Sequence, residues 1–243
     1  MQKGIKFRIY PNKEQQNLIN QTFGCCRLIY NKGLAMRNEA YDSGNKIGYA
    51  QTSAMLTELK KCEDFAFLKV VDSIALQQSL RDLDRGFVNF FQKRAAHPTF
   101  KSKHNRHQSY RTVNQGDHIR IAGKYIKLPK LGDIKIRQSM EVGKINNVTI
   151  QCTPTGKYFA VLNVEFEPQP SPNHGGSIGI DVGIKDFYSD SNGKVVSNPK
   201  YLEKSMRKLI REQRMLSRKQ KGSNNRNKQR VKVVLAVGTR IRR

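Results

Sequence analysis

Between Ile119 and Phe166 the chain runs through short strand-like stretches, I-R-I, Y-I-K-L, I-K-I, V-T-I and Y-F-A-V-L-N-V-E-F, separated by Gly, Asn and Pro. A two-residue period sends alternate side chains to opposite faces of an extended strand. Several short strands at such spacing predict a small barrel or sandwich. A further strand is legible near the start, where Lys3 to Tyr10 reads K-G-I-K-F-R-I-Y. Ile5, Phe7 and Ile9 fall on one face and Lys6, Arg8 and Tyr10 on the other, the pattern of a half-buried strand.

Between these strand regions the period changes to that of helices. Pro11 ends the first strand, and Asn12 followed by Glu14 and Gln15 offers an N-cap for a helix through Leu18, Ile19, Cys26, Ile29 and Tyr30. A polar stretch at Ser43 to Gly48 precedes a shorter helix near Thr52 to Lys61. A long helix is expected over Asp72 to Lys93, where Ile74, Leu76, Leu80, Leu83, Phe87, Phe90 and Phe91 form an apolar stripe opposite Arg81, Asp82, Asp84 and Arg85. That stripe reads as core. At 243 residues the chain holds one large domain or two ordinary ones. A linker rich in Pro, Asn and Gly at Glu167 to Gly176 marks the boundary. Beyond it S-I-G-I-D-V-G-I-K-D-F-Y opens a new unit and turns at Asp190 to Gly193 into K-V-V. The fold class expected is α+β.

Charge sets the partner class. There are 45 Lys and Arg against 19 Asp and Glu, a formal net charge of +26. Such an excess suits a polyanion, and phosphate backbones suit it best because each neutralised phosphate releases condensed counterions. No apolar run approaches the roughly 18–20 residues of a spanning helix, and no secretory leader is seen. The expectation is therefore a cytoplasmic protein with no membrane partner. The four cysteines, Cys25, Cys26, Cys62 and Cys152, form no C-x-x-C pair and read as reduced thiols.

Two segments concentrate the positive charge. From Lys93 to Lys130 ten Lys and Arg and four His stand against Asp117 alone, with Phe100, Tyr110 and Tyr125 interleaved. Here Lys101, Lys103, Arg106 and Arg111 are candidate phosphate contacts, and Tyr110 is a candidate stacking residue. The alternative is an ordinary solvated basic face. His104 and His107 stand three apart but lack the Cys or acid partners of a metal site. From Lys204 to Lys232 twelve Lys and Arg stand against Glu212 alone, with Leu202, Met206, Leu209, Ile210, Met215 and Leu216 as an interrupted helical stripe. This predicts a basic helical arm fading into a disorder-prone K-G-S-N-N-R-N-K. Arg207, Arg211, Arg214, Arg218 and Lys219 are its candidate nucleic-acid contacts. A solvated charge run is the bland alternative.

Four passages together resemble one family: K-F-R-I-Y-P-N-K-E-Q, F-G-C-C-R-L-I-Y-N-K-G-L at Phe23 to Leu34, S-I-A-L-Q-Q-S-L-R-D-L-D-R-G-F-V-N-F-F with H-P-T-F-K-S-K after it, and I-G-I-D-V-G-I-K-D-F at Ile178 to Phe187. They resemble the TnpB (OrfB) family, RNA-guided nucleases encoded by insertion sequences and long described as transposases. The resemblance implies a wedge-type β-barrel from residues 1–10 and 96–170. It implies an inserted helical recognition lobe over 11–95, whose start is described as helix-turn-helix-like. It implies the N-terminal part of an RNase H-like (RuvC) domain over 177–243. The implied partners are guide RNA and target DNA, in a bacterial or archaeal cell and at its nucleoid.

The resemblance also implies that Asp181 is the first catalytic, metal-binding aspartate. By pattern alone, a D-x-G after a strand is more often a turn. RNase H-like nucleases hold two divalent ions, here Mg²⁺, with carboxylates from separate segments. The family's downstream glutamate, second aspartate and four-cysteine zinc ribbon are not in these residues, so no zinc is expected. The closing R-V-K-V-V-L-A-V-G-T-R-I-R-R also departs from the family's usual amphipathic helix. The expectation is a C-terminally truncated, cleavage-deficient RNA-guided DNA-binding protein. Three other readings stay open: an active endonuclease whose full product is longer, a non-guided helix-turn-helix DNA-binding protein, and a decayed remnant with uncovered sheet edges.

Overall fold

A computed structural model describes residues 1–105, 107–137, 140, 142–167 and 175–238. β1 (Gln2–Tyr10) leads into α1 (Lys13–Asp42), α2 (Tyr49–Lys61), a 3-10 turn over Glu63–Lys69 and α3 (Ser73–Phe91). Then come β2 (Gln108–Val113), β3 (Arg120–Ala122), β4 (Tyr125–Leu128), β5 (Gly132–Arg137), β6 (Ile145–Cys152) and β7 (Tyr158–Glu165). These elements form one compact unit, Met1–Glu167. The second unit carries β8 (Ile180–Asp181), β9 (Asp186–Asp190), β10 (Val195–Ser197), α4 (Tyr201–Ser217) and α5 (Asn224–Gly238). The fold is α+β.

The first unit is built on one curled antiparallel sheet with strand order β2-β6-β7-β1-β5-β4-β3. β1, first in the chain, lies in its middle, with Phe7 opposite Ala160 of β7 and Ile9 opposite Ile136 of β5. A single side chain ties the two ends of the strand order together. Asn114, just after β2, donates from its amide to the carbonyls of Ile119 and Ile145 at 3.0 Å, and its Oδ1 accepts from the Ile119 backbone at 2.8 Å. The inner face carries Phe7, Ile9, Ile126, Ile134, Ile136, Val148, Ile150 and Leu162, all buried. β2 lies in the segment expected to be a polar, nucleic-acid-contacting stretch. It is a strand because Tyr110 and Thr112 point inward while Ser109 and Arg111 point away.

The helices share that core. Asn12 and Gln15 make reciprocal bonds, Asn12 Oδ1 accepting from the Gln15 backbone at 2.8 Å and Gln15 Oε1 accepting from the Asn12 backbone at 3.0 Å. This capping box satisfies two donors that a helix start leaves open. The Gln15 amide then donates to the carbonyls of Leu131 and Asp133 at 3.0 Å, anchoring the start of α1 to the edge of β5. α1 and α3 cross closely at Gly33, where a Cβ would stand 2.8 Å from Leu80 Cδ2 and 3.1 Å from Leu83 Cδ2. Ile19, Phe23, Cys26, Ile29, Leu76 and Leu80 join the sheet's inner residues in one cluster.

That burial sets thiol chemistry. Cys25 and Cys26 are buried, Cys152 is half-buried and Cys62 is exposed. Burial first, then neighbouring Cys25, pushes the Cys26 thiol up to about 12, and burial raises Cys25 and Cys152 as well. Only the thiolate attacks a disulfide reagent. An aromatic disulfide reagent at pH 8 is therefore expected to label Cys62 in its first phase, with Cys25 and Cys26 reacting only in denaturant. Rapid labelling of all the thiols in the folded chain would contradict the packing of α1.

In the second unit β8, β9 and β10 form a small antiparallel sheet in the order β10-β9-β8. Apolar side chains of this sheet and of the segments flanking β8 are exposed, Ile184 at 94% and Ile178, Ile180, Val182 and Phe187 as well. α4 and α5 pair along a largely polar seam. Gln229 donates to the Glu212 carbonyl at 3.1 Å and to its carboxylate at 2.7 Å, and both residues are buried. The stretch Lys221–Lys228, expected to be disordered, is a turn and the start of α5. Ser223 Oγ accepts from the Arg226 backbone at 3.1 Å, an N-cap bond. The Arg226 guanidinium donates to the carbonyls of Leu216 and Lys219 at 3.1 and 2.7 Å, filling acceptors that the end of α4 leaves open. Among the described residues no helix is long and apolar enough to cross a membrane.

Candidate nucleic-acid interface

The basic arm is a helix, and its arginines are ordered by helical geometry. Ser205, Leu209, Glu212 and Leu216 are the less exposed positions of α4. Arg207, Arg211, Arg214 and Arg218 follow the same four-three-four spacing, displaced by two residues. At about 100° per residue they occupy the opposite side of α4. Arg207 and Arg211 have side-chain exposures of 78% and 70%. The rise from Arg207 to Arg218 is about 16 Å along the helix axis, a length over which a duplex carries on the order of ten phosphates. Arg207 pairs with Glu203 and Arg211 lies 3.5 Å from Glu212. The Arg207–Glu203 pair is exposed on both sides, so it holds its side chain weakly and exchanges for phosphate, whereas Glu212 is buried and Arg211 meets it only at this longer distance. Lys219 follows Arg218 at the turn after α4.

The strand register builds a second basic surface on the outer face of the large sheet. Arg8 stands opposite Arg137 and Tyr10 opposite Lys135, with Tyr125 opposite Lys135 on its other side. Lys127 and Arg120 are paired one strand further on. Tyr10 and Tyr125 are both exposed. The Arg8 guanidinium lies 5.2 Å from the Phe159 ring centre and 5.5 Å from that of Tyr10, with Lys6 4.6 Å from Phe159. Phe159 is buried beneath these cations, so the stacking faces beside the phosphate contacts are those of Tyr10 and Tyr125.

The segment expected to contact nucleic acid is instead partly built into the fold. Tyr110 is 7% exposed, packs edge-on against Phe23 at 5.6 Å, and has its hydroxyl pKa raised by burial. This corrects its reading as a stacking residue, since its ring is enclosed between α1 and β2. Arg111 is committed to Asp82 and Gln78 on α3. The Lys101 backbone is clasped by the Asn31 amide, N to Oδ1 at 2.8 Å and carbonyl to Nδ2 at 3.0 Å. Its ammonium lies 4.0 Å from the Tyr30 ring centre, where desolvation lowers its pKa against the opposing pull of Asp82. Lys103 is exposed. Arg106 lies outside the described residues.

A third feature is one that the order of residues along the chain does not announce. A cleft of about 710 Å³ opens along the solvent side of α3, facing the start of α2 and the strands β2 and β6. Gln77, Gln78, Arg81, Arg85, Gln115 and Asn147 line it, and the Arg81 guanidinium sits 4.9 Å from the Tyr49 ring centre. Amides and guanidiniums in one groove are the donors and acceptors that read base edges. Its signal in the sequence is the polar side of α3, but the partners of that side lie on elements far along the chain.

Asp181 is exposed and sits in β8 opposite Ser189. A Cβ on Gly183 would stand 3.2 Å from the Asp186 carbonyl, so the close approach there is to the chain's own backbone. Asp190 caps the β9–β10 turn by accepting from Asn192 and Lys194 at 3.0 and 2.9 Å. Among the described residues no group of three or more His, Cys, Asp or Glu could hold a metal ion. These residues alone do not fit a two-metal centre, whose ions need carboxylates from several segments.

Comparison with known proteins places the chain in a family. Two family profiles match, one described as "Helix-turn-helix domain" over residues 1–46 and one as "Probable transposase" over 161–243, both of the OrfB type. A "Putative RNA-guided DNA endonuclease" of Streptomyces pristinaespiralis is 38% identical over 238 residues, covering 96% of this chain and 59% of that protein. A protein of the same description, InsQ of Escherichia coli (strain K12), is 37% identical over 234 residues, covering 95% of this chain and 58% of its own length. The chain thus spans less than two thirds of these curated relatives. Among solved structures, a chain of the CRISPR-Cas12f ternary complex matches with 13% identity and a TM-score of 0.44, covering 95% of this chain and 57% of that one. Since the two profiles match its two ends and both relatives align over nearly all of its length, this chain belongs to the TnpB (OrfB) family of insertion sequences.

Proposed function

We propose that the chain is an RNA-guided DNA-binding protein, in which a bound RNA selects the DNA by pairing and the protein contacts backbones and a short duplex motif. The observation that carries this reading is the outer face of the large sheet, where Arg8, Lys135, Arg137 and Lys127 surround exposed Tyr10 and Tyr125. Single-stranded RNA is held by such a combination, phosphates on cations and bases on rings. On this reading residues 1–10 and 96–170 are the wedge-type barrel and 11–95 the recognition lobe. The α3 cleft then reads the short duplex motif. Residues 177–243 are the RuvC-type part, and α4 lays its arginines along a heteroduplex.

The relatives are described as DNA endonucleases, and that activity needs more than this chain's described residues provide. Asp181 is one carboxylate, and the divalent ions of the RuvC chemistry, Mg²⁺ by our reading, need several. The 243-residue chain is therefore proposed to bind and not to cut. A non-guided helix-turn-helix reading is less well supported, because residues 1–46 hold β1 and the single uninterrupted helix α1. The two-helix geometry that places a recognition helix in a groove is not within that span.

The test is purification from cells that carry the encoding locus. Ribonuclease-sensitive RNA of one defined sequence is expected to accompany the chain, and the complex is expected to leave target DNA intact with Mg²⁺. Absence of RNA, or only the bulk RNA that any basic protein retains, would contradict the RNA-guided reading. Mg²⁺-dependent cleavage abolished by Asp181→Ala would overturn the binding-only part.

A further inference from the structure

Apart from these surfaces, a cleft of about 530 Å³ lies where the C-terminal ends of α1 and α3 come together. Its wall is aromatic. Phe87, Phe90 and Phe91 lie along α3, with the Phe87 and Phe91 rings stacked at 6.2 Å. The His97 ring stands edge-on to Phe87 at 5.3 Å and to Phe90 at 5.1 Å. The apolar stripe of α3 runs past the core here, so rings that would ordinarily be covered face solvent. Phe91 is 69% exposed and Tyr41, across the cleft on α1, is 74% exposed.

The rim is chosen for an anion. Lys46 lines the cleft, and Lys93 and Arg94 stand two and three residues past the end of α3 at Phe91, beside the lining rather than in it. The Arg37 guanidinium covers the Phe87 ring at 4.0 Å and pairs with Asp84 at 2.8 Å, leaving Asp42 as the acid of the lining, outside any ion pair among the described residues. Asn38 and Asn45 also line the cleft, and their side-chain amides make no hydrogen bond among the described residues. Each amide presents a donor pair and an acceptor.

An exposed ring, unused amides and a cationic rim suit a planar, hydrogen-bonding group attached to a phosphate chain. We propose that this cleft binds one unpaired nucleobase of single-stranded nucleic acid, stacked against Phe91 and Tyr41, with Asn38 and Asn45 meeting its edge and Lys46, Lys93 and Arg94 its flanking phosphates. The proposal rests on the nucleic-acid-binding reading above and adds a specific pocket to it.

The test uses the full chain freed of bound RNA in high salt and a ten-nucleotide single strand with a central 2-aminopurine, in ribo and deoxyribo forms. Binding is expected to change the 2-aminopurine emission, while the same sequence held as a duplex does not. Phe91→Ala and Tyr41→Ala are each expected to weaken that response roughly 10-fold, within the range measured for one stacked base. Tyr41 is 74% exposed, so Tyr41→Ala is expected to leave the melting temperature unchanged, Phe91→Ala to lower it slightly through loss of the Phe87 and Phe90 ring contacts, and the salt slope of total binding to hold in both. Oligonucleotide binding without an emission change, or with the same response in both variants, overturns the base pocket and leaves the broader reading intact. Binding of no oligonucleotide at all overturns both. An apolar dye in the cleft that the single strand fails to displace assigns the cleft to a protein surface and overturns the proposal.

Discussion

Replacing Arg207, Arg211, Arg214 and Arg218 together by Gln is expected to reduce the log–log salt slope of nucleic-acid binding by about 3, at roughly 0.7–0.9 for each phosphate no longer neutralised. Because the electrostatic part grows by that slope for each decade of dilution from 1 M salt, affinity near 0.1 M is expected to fall on the order of 10³-fold. Arg207, Arg214 and Arg218 sit opposite the α4–α5 seam, and Arg211 touches it only through its 3.5 Å contact with Glu212. The seam itself is held by Gln229 on Glu212 and by Arg226 on the last carbonyls of α4. The hairpin's helicity and melting temperature are therefore expected to hold. A slope that changes by less than about 1 would reduce the stripe to a solvated charge run. Single replacements are expected to act alike, since contacts to phosphate carry no sequence information.

The second large effect is on stability, at Asp72. This buried carboxylate caps α3, one oxygen accepting from the Ile74 backbone at 2.9 Å and the other from the Thr112 hydroxyl of β2. It thereby joins the helical insertion to the sheet. Asp72→Ala removes a cap worth about 1 kcal/mol. It also leaves the Thr112 hydroxyl buried without its partner, at a cost of about 1–3 kcal/mol. The expected loss is about 2–4 kcal/mol in urea unfolding of the first unit. Thr112→Val is expected to cost less, and the double variant less than the sum, because the two residues share one bond. Additive losses, or a loss under about 1 kcal/mol for Asp72→Ala, would mean that this bond does not couple helix to sheet.

Local pattern makes much of the architecture legible. The alternation of Lys3–Tyr10 marks β1, and the recurrence of apolar residues from Ile74 to Phe91 marks α3, because burial there follows the period of the element. β2 is not legible in this way. Ser109 and Arg111 make its neighbourhood look polar, and only the packing of Tyr110 on Phe23, far away in the chain, shows that one face is buried. Lys221–Lys228 looks disordered by composition. The bonds from Arg226 back to Leu216 and Lys219 are local, yet no propensity signals them.

The candidate site divides the same way. The arginine stripe of α4 can be counted along the chain because a helix orders it. The outer face of the sheet cannot, since Arg8, Lys135 and Tyr125 become neighbours only through the pairing of three strands. The α3 cleft needs residues from β2 and β6 as well as Arg81 and Arg85. Arg111 and Lys101 show the converse. Their charge reads as available in the sequence, but an acid on α3 and a ring on α1 engage it.

The most direct test of RNA-guided binding is the affinity of the RNA-loaded chain for two DNA duplexes that differ only in their match to the bound RNA. The proposed function predicts that the matched duplex binds tightly and the scrambled one at the level of non-specific DNA, with the difference abolished by ribonuclease. Equal binding of both duplexes, or discrimination that survives ribonuclease, would contradict it.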